Sequence, residues 1–371
     1  MRNTSSLLQQ NDIREINSRF RLHDYPSRNR LLSDVMISLR RQRRLIPHDY
    51  VYSLTYIGDI VQLWLQSPPC RFSEAGSCTM CNYWKGRRIP DIAGKVTASA
   101  KIEGNPHSIL INTCGSVLDD YELAAAEREQ LFSWVNELDI PEVILETHIS
   151  TLTQDCIDMT AEIFSGKTVY FEAGIESVSN DVLFYCLNKP RINYDYSGIL
   201  AAIHRHKNLK AIANVILGAP FLTREEQEAD ALNSIIFLLD NGFDYAVLFP
   251  VNIKPLTLPE LLMKHGLYSR IQGDSLINVL SSLPDEMLPL VNTAWFGNRS
   301  EDGVIPPEYD EDTREEKLRL LEMYNVSPSV SERRRIINRL LCLTNETATD
   351  SSEAFRTRLE HAYSLIEDNM L

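Results

Sequence analysis

No stretch of this chain stays apolar for the ~20 residues that a membrane-spanning helix needs. Residues 1–10 also lack the apolar core of a secretory signal, so the expected setting is a reducing cytoplasm in which thiols stay free. Basic charge is scarce. Against 51 Asp and Glu there are 37 Lys and Arg, a net charge of −14, which is the wrong sign for a surface that grips phosphate backbones. Low-complexity tracts are missing, and so is any repeat beyond a strand–helix rhythm. The 44% hydrophobic content over 371 residues is ordinary for a globular chain of one large α/β domain with appendages, or two modest domains.

Cysteine is also sparse, seven in all, but its placement is uneven. Cys114, Cys156, Cys186 and Cys342 are scattered, as inert buried thiols usually are. The other three fall within twelve residues, Cys70-Arg-Phe-Ser-Glu-Ala-Gly-Ser-Cys78-Thr-Met-Cys81. The odd total and the missing secretory signal argue against a disulfide framework. Three thiolates on one loop suit a cubane iron–sulfur cluster, holding three irons and leaving the fourth open. A structural zinc site wants four protein ligands. His48 and His107, the nearest histidines, stand at no zinc-knuckle spacing to the trio, yet zinc stays open as an alternative.

Short apolar strands and amphipathic helices alternate from residue 60 onward. Strands are expected at 61–65, 108–113, 142–146, 168–173, 211–217 and 245–250. Helices are expected between them at about 122–138, 155–165, 179–187, 195–206 and 224–241. This alternation predicts a parallel sheet with helices on its outer face. Six strand–helix units are too few to close an eight-unit barrel, so the fold class is α/β, an open partial barrel. Three parts are expected: a helical basic extension over 1–59, the barrel over 60–265, and a mainly helical region over 266–371. In the first part, residues 1–46 hold ten Arg against four Asp or Glu. The bunched Arg40, Arg41, Arg43 and Arg44 make either a solvated or partner-docking helix face, or an anion-binding arm.

Ligand sites in such folds gather at the carboxyl ends of the strands, and every chemically unusual stretch here falls at one. The cysteine loop follows the first expected strand. Thr113-Cys114-Gly115-Ser116, Glu146-Thr147-His148, Gly174-Ile175-Glu176-Ser177 and Gly218-Ala219-Pro220 follow the next four. Taken singly, Glu146 suits a surface acid at a strand end, and Glu176 a charge favoured by a helix dipole. Cys114 and His148 are weak candidates for catalytic work, Cys114 as a hydrogen-atom donor and His148 as an acid or base. An inert thiol and a satisfied polar histidine are the plainer readings.

With strands, loops and cysteines in this order, residues 60–265 resemble the radical SAM superfamily, and within it the branch of the elongator catalytic subunit and the radical SAM subunit of archaeosine synthase. The C-x7-C-x2-C spacing departs from the superfamily's usual C-x3-C-x2-C, while Cys78-Thr-Met-Cys81 followed by Tyr83 and Trp84 keeps its look. The resemblance implies a barrel of the radical SAM type with a [4Fe–4S] cluster on Cys70, Cys78 and Cys81. The open iron of that cluster chelates S-adenosylmethionine, and reductive cleavage yields a 5′-deoxyadenosyl radical that takes hydrogen from a substrate. It further implies that Gly115 and Ser116 lie in the turn that meets the amino group. Glu146, Glu176 and Ser177 are implied at the strand ends that contact amino acid and ribose, and Gly218 beside the adenine. The acidic balance favours a small-molecule biosynthetic substrate, with an electron donor such as flavodoxin or ferredoxin. Modification of a tRNA nucleobase is the alternative that the nearest relatives suggest, and nucleic acid is the less favoured partner. Asn252, Lys254, Trp295, Asn298 and Arg299 lie where a substrate-facing wall is expected.

Overall fold

The computed structural model describes residues 25–42, 50–189, 195–297, 303–344 and 354–370. Arg43, Arg44, Asn298 and Arg299, singled out above, lie outside these residues. Eight strands form one sheet in the order of the sequence. β1 (Tyr52–Ile57) runs antiparallel to β2 (Ile60–Leu65), as a hairpin. From β2 onward every neighbour is parallel: β3 (Ser108–Asn112), β4 (Glu142–Thr147), β5 (Thr168–Glu176), β6 (Leu209–Leu217), β7 (Tyr245–Pro250) and β8 (Val291–Thr293). A sheet wound in one direction by helical crossovers carries those helices on one face and curls away from them. β1 and β8 remain as its two edges, so the barrel is partial, as expected. It carries two strands more than the six read from sequence.

Burial alternates along the strands, and this alternation places the site. On β4, Val143, Leu145 and Thr147 are buried while Glu142, Ile144 and Glu146 are half-exposed. β2 and β7 repeat the pattern, with Gln62 and Trp64 and then Tyr245, Val247 and Phe249 on the more open face. The buried rows pack with the outer helices into one apolar core that includes Phe132, Phe164, Phe171 and Leu238. The more open rows line the concave face of the curl. The expected crossover helices appear at Ala125–Glu137, Gln154–Ile163, Tyr196–His204 and Arg224–Asp240. At 179–187 the chain instead makes a π-helical turn, Val182–Cys186, a rare form that is frequent at functional sites.

The first helix among the described residues, α1 (Tyr25–Gln42), buries Leu32, Val35, Met36 and Leu39, a helical spacing of apolar residues that fixes which face packs. Ser33 on it accepts from Asn188 Nδ2 at 3.0 Å, and Asn188 also donates to Gly76 O at 3.1 Å. One amide thus ties α1, the cysteine loop and the end of the π turn together.

Candidate metal and cofactor site

The cysteine loop leaves the carboxyl end of β2 through Pro68 and Pro69 and is pinned at both ends. Cys70 N–H donates to Tyr83 O at 3.4 Å, and Cys81 N–H to Cys78 O at 2.9 Å. The Thr79 hydroxyl donates to Cys186 O at 2.8 Å. Cys78 stands in the left-handed region at φ 57°, as do Glu176 (63°), Asn188 (53°) and Trp295 (57°). Side chains other than glycine, asparagine and aspartate seldom adopt that conformation, and it collects at functional sites where surrounding structure holds it. Gly76 is a glycine because α1 presses on it: a Cβ there would stand 2.8 Å from Ser33 O.

The three thiols share one enclosed space. Burial raises all of them, to about 12 for Cys78, and two are raised further by their neighbours: Cys70 by Cys78 and Cys81, and Cys78 by Cys81. Cations oppose this. Lys189 and Arg40 act on Cys78, and Lys254 on Cys81. Backbone and side-chain donors also face the sulfurs, with Tyr83 N–H 3.3 Å from Cys81 Sγ and Ser73 beside both Cys70 and Cys81. Three buried thiols do not ionise together unless a metal centre takes up their charge.

Among the described residues, no three His, Cys, Asp or Glu side chains meet as ligands of one metal ion. A cubane makes a different demand, because it takes one thiolate on each of three irons and the sulfurs need not meet at a point. Polar atoms around the loop also lack partners. Arg40 Nε and Nη2, Asn82 Oδ1 and Trp84 Nε1 are buried without a hydrogen bond, a costly condition that a bound polar group relieves. Donor set, cations and orphaned atoms together fit an anionic iron–sulfur group with a polar ligand beside it.

Gly115 touches this space directly, since a Cβ on it would lie 2.7 Å from Cys70 Sγ and 2.6 Å from Glu122 Oε1. The N–H groups of Gly115 and Ser116 donate to Glu122 Oε2 at 2.6 and 3.2 Å, and Ser116 Oγ lies 2.8 Å from both Thr147 and Thr151 hydroxyls. Burial raises the Glu122 carboxyl to about 7 against the donors that face it. Nothing local in the sequence marks Glu122. Its role comes from a fold-back of the loop after β3.

Glu176 forms a buried ion pair with Lys189, the two side chains 11% and 10% exposed. Because Lys189 also acts on Cys78, that acid is brought to the cysteine site. Asn188 and Lys189, just after the π turn, are both buried. Glu146 lies deeper, on the concave face, accepting from Asn112 Nδ2, while Asn112 Oδ1 accepts from Gln62 at 2.9 Å. Directly across the ladder from it stands Glu172, raised to about 7 by burial and then by Glu146, and receiving a bond from Asn214.

Of the other candidates, Ser177 and Gly218 are engaged away from the cysteines. Ser177 donates to Asp230 on helix Arg224–Asp240 at 2.9 Å, and Gly218 O accepts from Tyr268 at 2.6 Å. Cys114 is a buried thiol raised to about 12 by burial, packed close to Gly86. His148 stacks on Phe72 with centroids 4.4 Å apart. Burial and then Lys189 lower its pKa to about 3, which holds the ring neutral near pH 7. Of the expected wall, Asn252, Lys254 and Trp295 do come together. Asn252 Nδ2 donates to Trp295 O at 3.1 Å, and Lys254 Nζ lies 4.2 and 5.4 Å from the Tyr83 and Trp295 ring centroids.

The half-barrel carries its three-cysteine loop after the first parallel strand, the arrangement that the resemblance to the radical SAM superfamily implies. The chain is similar to proteins named archaeosine synthase subunit beta. That of Thermococcus kodakarensis is 27% identical over 213 residues, covering 54% of this chain and 61% of the relative. That of Methanosarcina acetivorans is 25% identical over 226 residues, covering 58% and 64%. The chain thus spans about three fifths of the length of these curated relatives. No family profile matches. Likeness to solved structures is loose: Elp3 of Methanocaldococcus infernus has a TM-score of 0.41 at 16% identity, over 60% of this chain and 55% of that one. Coproporphyrinogen III oxidase of Escherichia coli has 0.38 at 13%, over 63% and 55%. Among the described residues no helix is long and apolar enough to cross a membrane.

Proposed function

We propose that this chain is a radical SAM enzyme whose substrate, a small biosynthetic molecule, is held on the concave face below the cysteine loop. The observation that carries the reading is the enclosed trio of thiols at the mouth of the half-barrel, ringed by Lys189, Lys254 and Arg40. Cys70, Cys78 and Cys81 would hold a [4Fe–4S] cluster, which with S-adenosylmethionine and an electron from a donor such as flavodoxin or ferredoxin supplies a 5′-deoxyadenosyl radical. The work left to the protein is placement and exclusion of water. Glu122 holds the Gly115 turn against Cys70, which keeps that edge of the site free of a side chain. Lys189 holds Glu176 at the strand end, where a carboxylate accepts hydroxyl or ammonium donors. The Gln62, Asn112, Glu146, Glu172 and Asn214 row gives the substrate polar partners.

The test is anaerobic reconstitution with iron and sulfide, followed by incubation with S-adenosylmethionine, dithionite and a deuterated metabolite extract. Cluster absorption and deuterium in 5′-deoxyadenosine are the expected results, and bound zinc with no cleavage overturns the proposal.

A second reading is a tRNA nucleobase substrate. It is favoured by the name that the two relatives carry, and opposed by the net charge of −14. Retention of bulk tRNA at moderate salt separates the two, since an acidic chain making few phosphate contacts releases it.

A further inference from the structure

Arg40 comes from α1, outside the barrel, yet its guanidinium reaches the cysteine loop. Nη1 donates to Glu74 O at 3.2 Å, and the guanidinium carbon lies 5.4 Å from the centroid of Trp84, a stacking that arginine favours. Nε and Nη2 are buried and have no acceptor. The anionic groups that act on Arg40 are Cys81, Cys78 and Glu74, in that order. A guanidinium carries five N–H donors and does not shed its charge in proteins, so two open nitrogens out of water cost free energy until an anion meets them. The carbonyl of Glu74 accounts for one nitrogen only. A role as a mere staple between α1 and the loop leaves the other two unexplained.

We infer that Arg40 is a positioning residue of the cysteine site, its open N–H groups serving the anionic cofactor that Cys70, Cys78 and Cys81 hold. This rests on the proposed cluster. A fixed positive charge stabilises the more negative, reduced form of such a group, so Arg40 raises the potential at which the group accepts one electron from an external reductant. Helix α1 is then part of the redox site.

The experiment compares full-length wild type, Arg40→Met and Arg40→Lys after anaerobic reconstitution. Iron per chain, thermal midpoint and the cluster potential by EPR-monitored dithionite titration are measured. Expected are equal iron contents, a more negative potential for Arg40→Met, and an intermediate one for Arg40→Lys, which keeps the charge and loses the fork. An unchanged potential in Arg40→Met at full iron content overturns the inference, and so does loss of iron in both variants, which marks a structural staple. If Arg40→Met does not fold, Arg40→Lys decides alone, a more negative potential supporting the inference and an unchanged one overturning it. Wild type that takes up no cluster overturns the proposed function, and the inference with it.

Discussion

Lys189 and Glu176 stand thirteen residues apart in sequence and meet as a buried ion pair. Removing one member of such a pair strands the other charge out of water, which typically costs about 3–5 kcal/mol. Lys189→Met is therefore expected to lower the thermal midpoint strongly. Adding Glu176→Gln should restore much of the loss, because no uncompensated charge then remains. A single variant as stable as wild type contradicts the pairing.

Gly115 is expected to tolerate no side chain. Alanine there places a carbon 2.7 Å from Cys70 Sγ and 2.6 Å from a Glu122 oxygen, an overpacking worth about 1–3 kcal/mol. The displaced group is Cys70, a ligand of the proposed cluster, so iron uptake should fall further than stability does. Measured iron per chain in a folded Gly115→Ala protein decides this, and wild-type uptake refutes it.

Glu172 makes stability depend on pH. Its carboxyl is raised from 4.5 to about 7 in the folded chain, so between those values the native state binds more protons than the unfolded one. Stability contributed by this group then falls as pH rises from 4.5 towards 7 and is level above. Glu172→Gln in the cluster-free chain should match wild type near pH 5 and exceed it above pH 7. Since Glu146 helps raise Glu172, Glu146→Gln should end the fall at a lower pH, and an unchanged pH dependence would show that the two acids do not interact. Thermal midpoints across pH 4–9 provide the check.

The sheet was legible because β3 to β7 are short runs rich in aliphatic and aromatic residues bounded by turns, and the cysteine loop because its residues lie together. β8 was not, since a three-residue strand, Val291–Thr293, carries no periodicity, and β1 was not, since Tyr52–Ile57 is only half-buried. The residues that shape the site were harder to read. Glu122 reaches Ser67 from 55 positions away, Arg40 reaches Glu74 from 34, and Glu172 looks like any strand acid until Glu146 stands opposite it. Pairs formed by tertiary folding leave no local spacing to count. The bunched arginines offered two readings, and Arg40 does not sit on a purely solvated face: it turns inward on the loop.

Cys114 provides a control within the same region. It is buried like the trio and hydrogen-bonded to Ser67 O at 3.7 Å, but it lies outside the loop. Cys114→Ala should keep full iron uptake, whereas Cys70→Ala, Cys78→Ala and Cys81→Ala should each lose it.

The most direct measurement is iron, sulfide and zinc per chain after anaerobic reconstitution, taken with 5′-deoxyadenosine formation in wild type and the three single cysteine variants. The account predicts about four iron and four sulfide in wild type, with cleavage of S-adenosylmethionine abolished in each variant. One zinc and no iron in wild type, or 5′-deoxyadenosine still formed by all three variants, contradicts it.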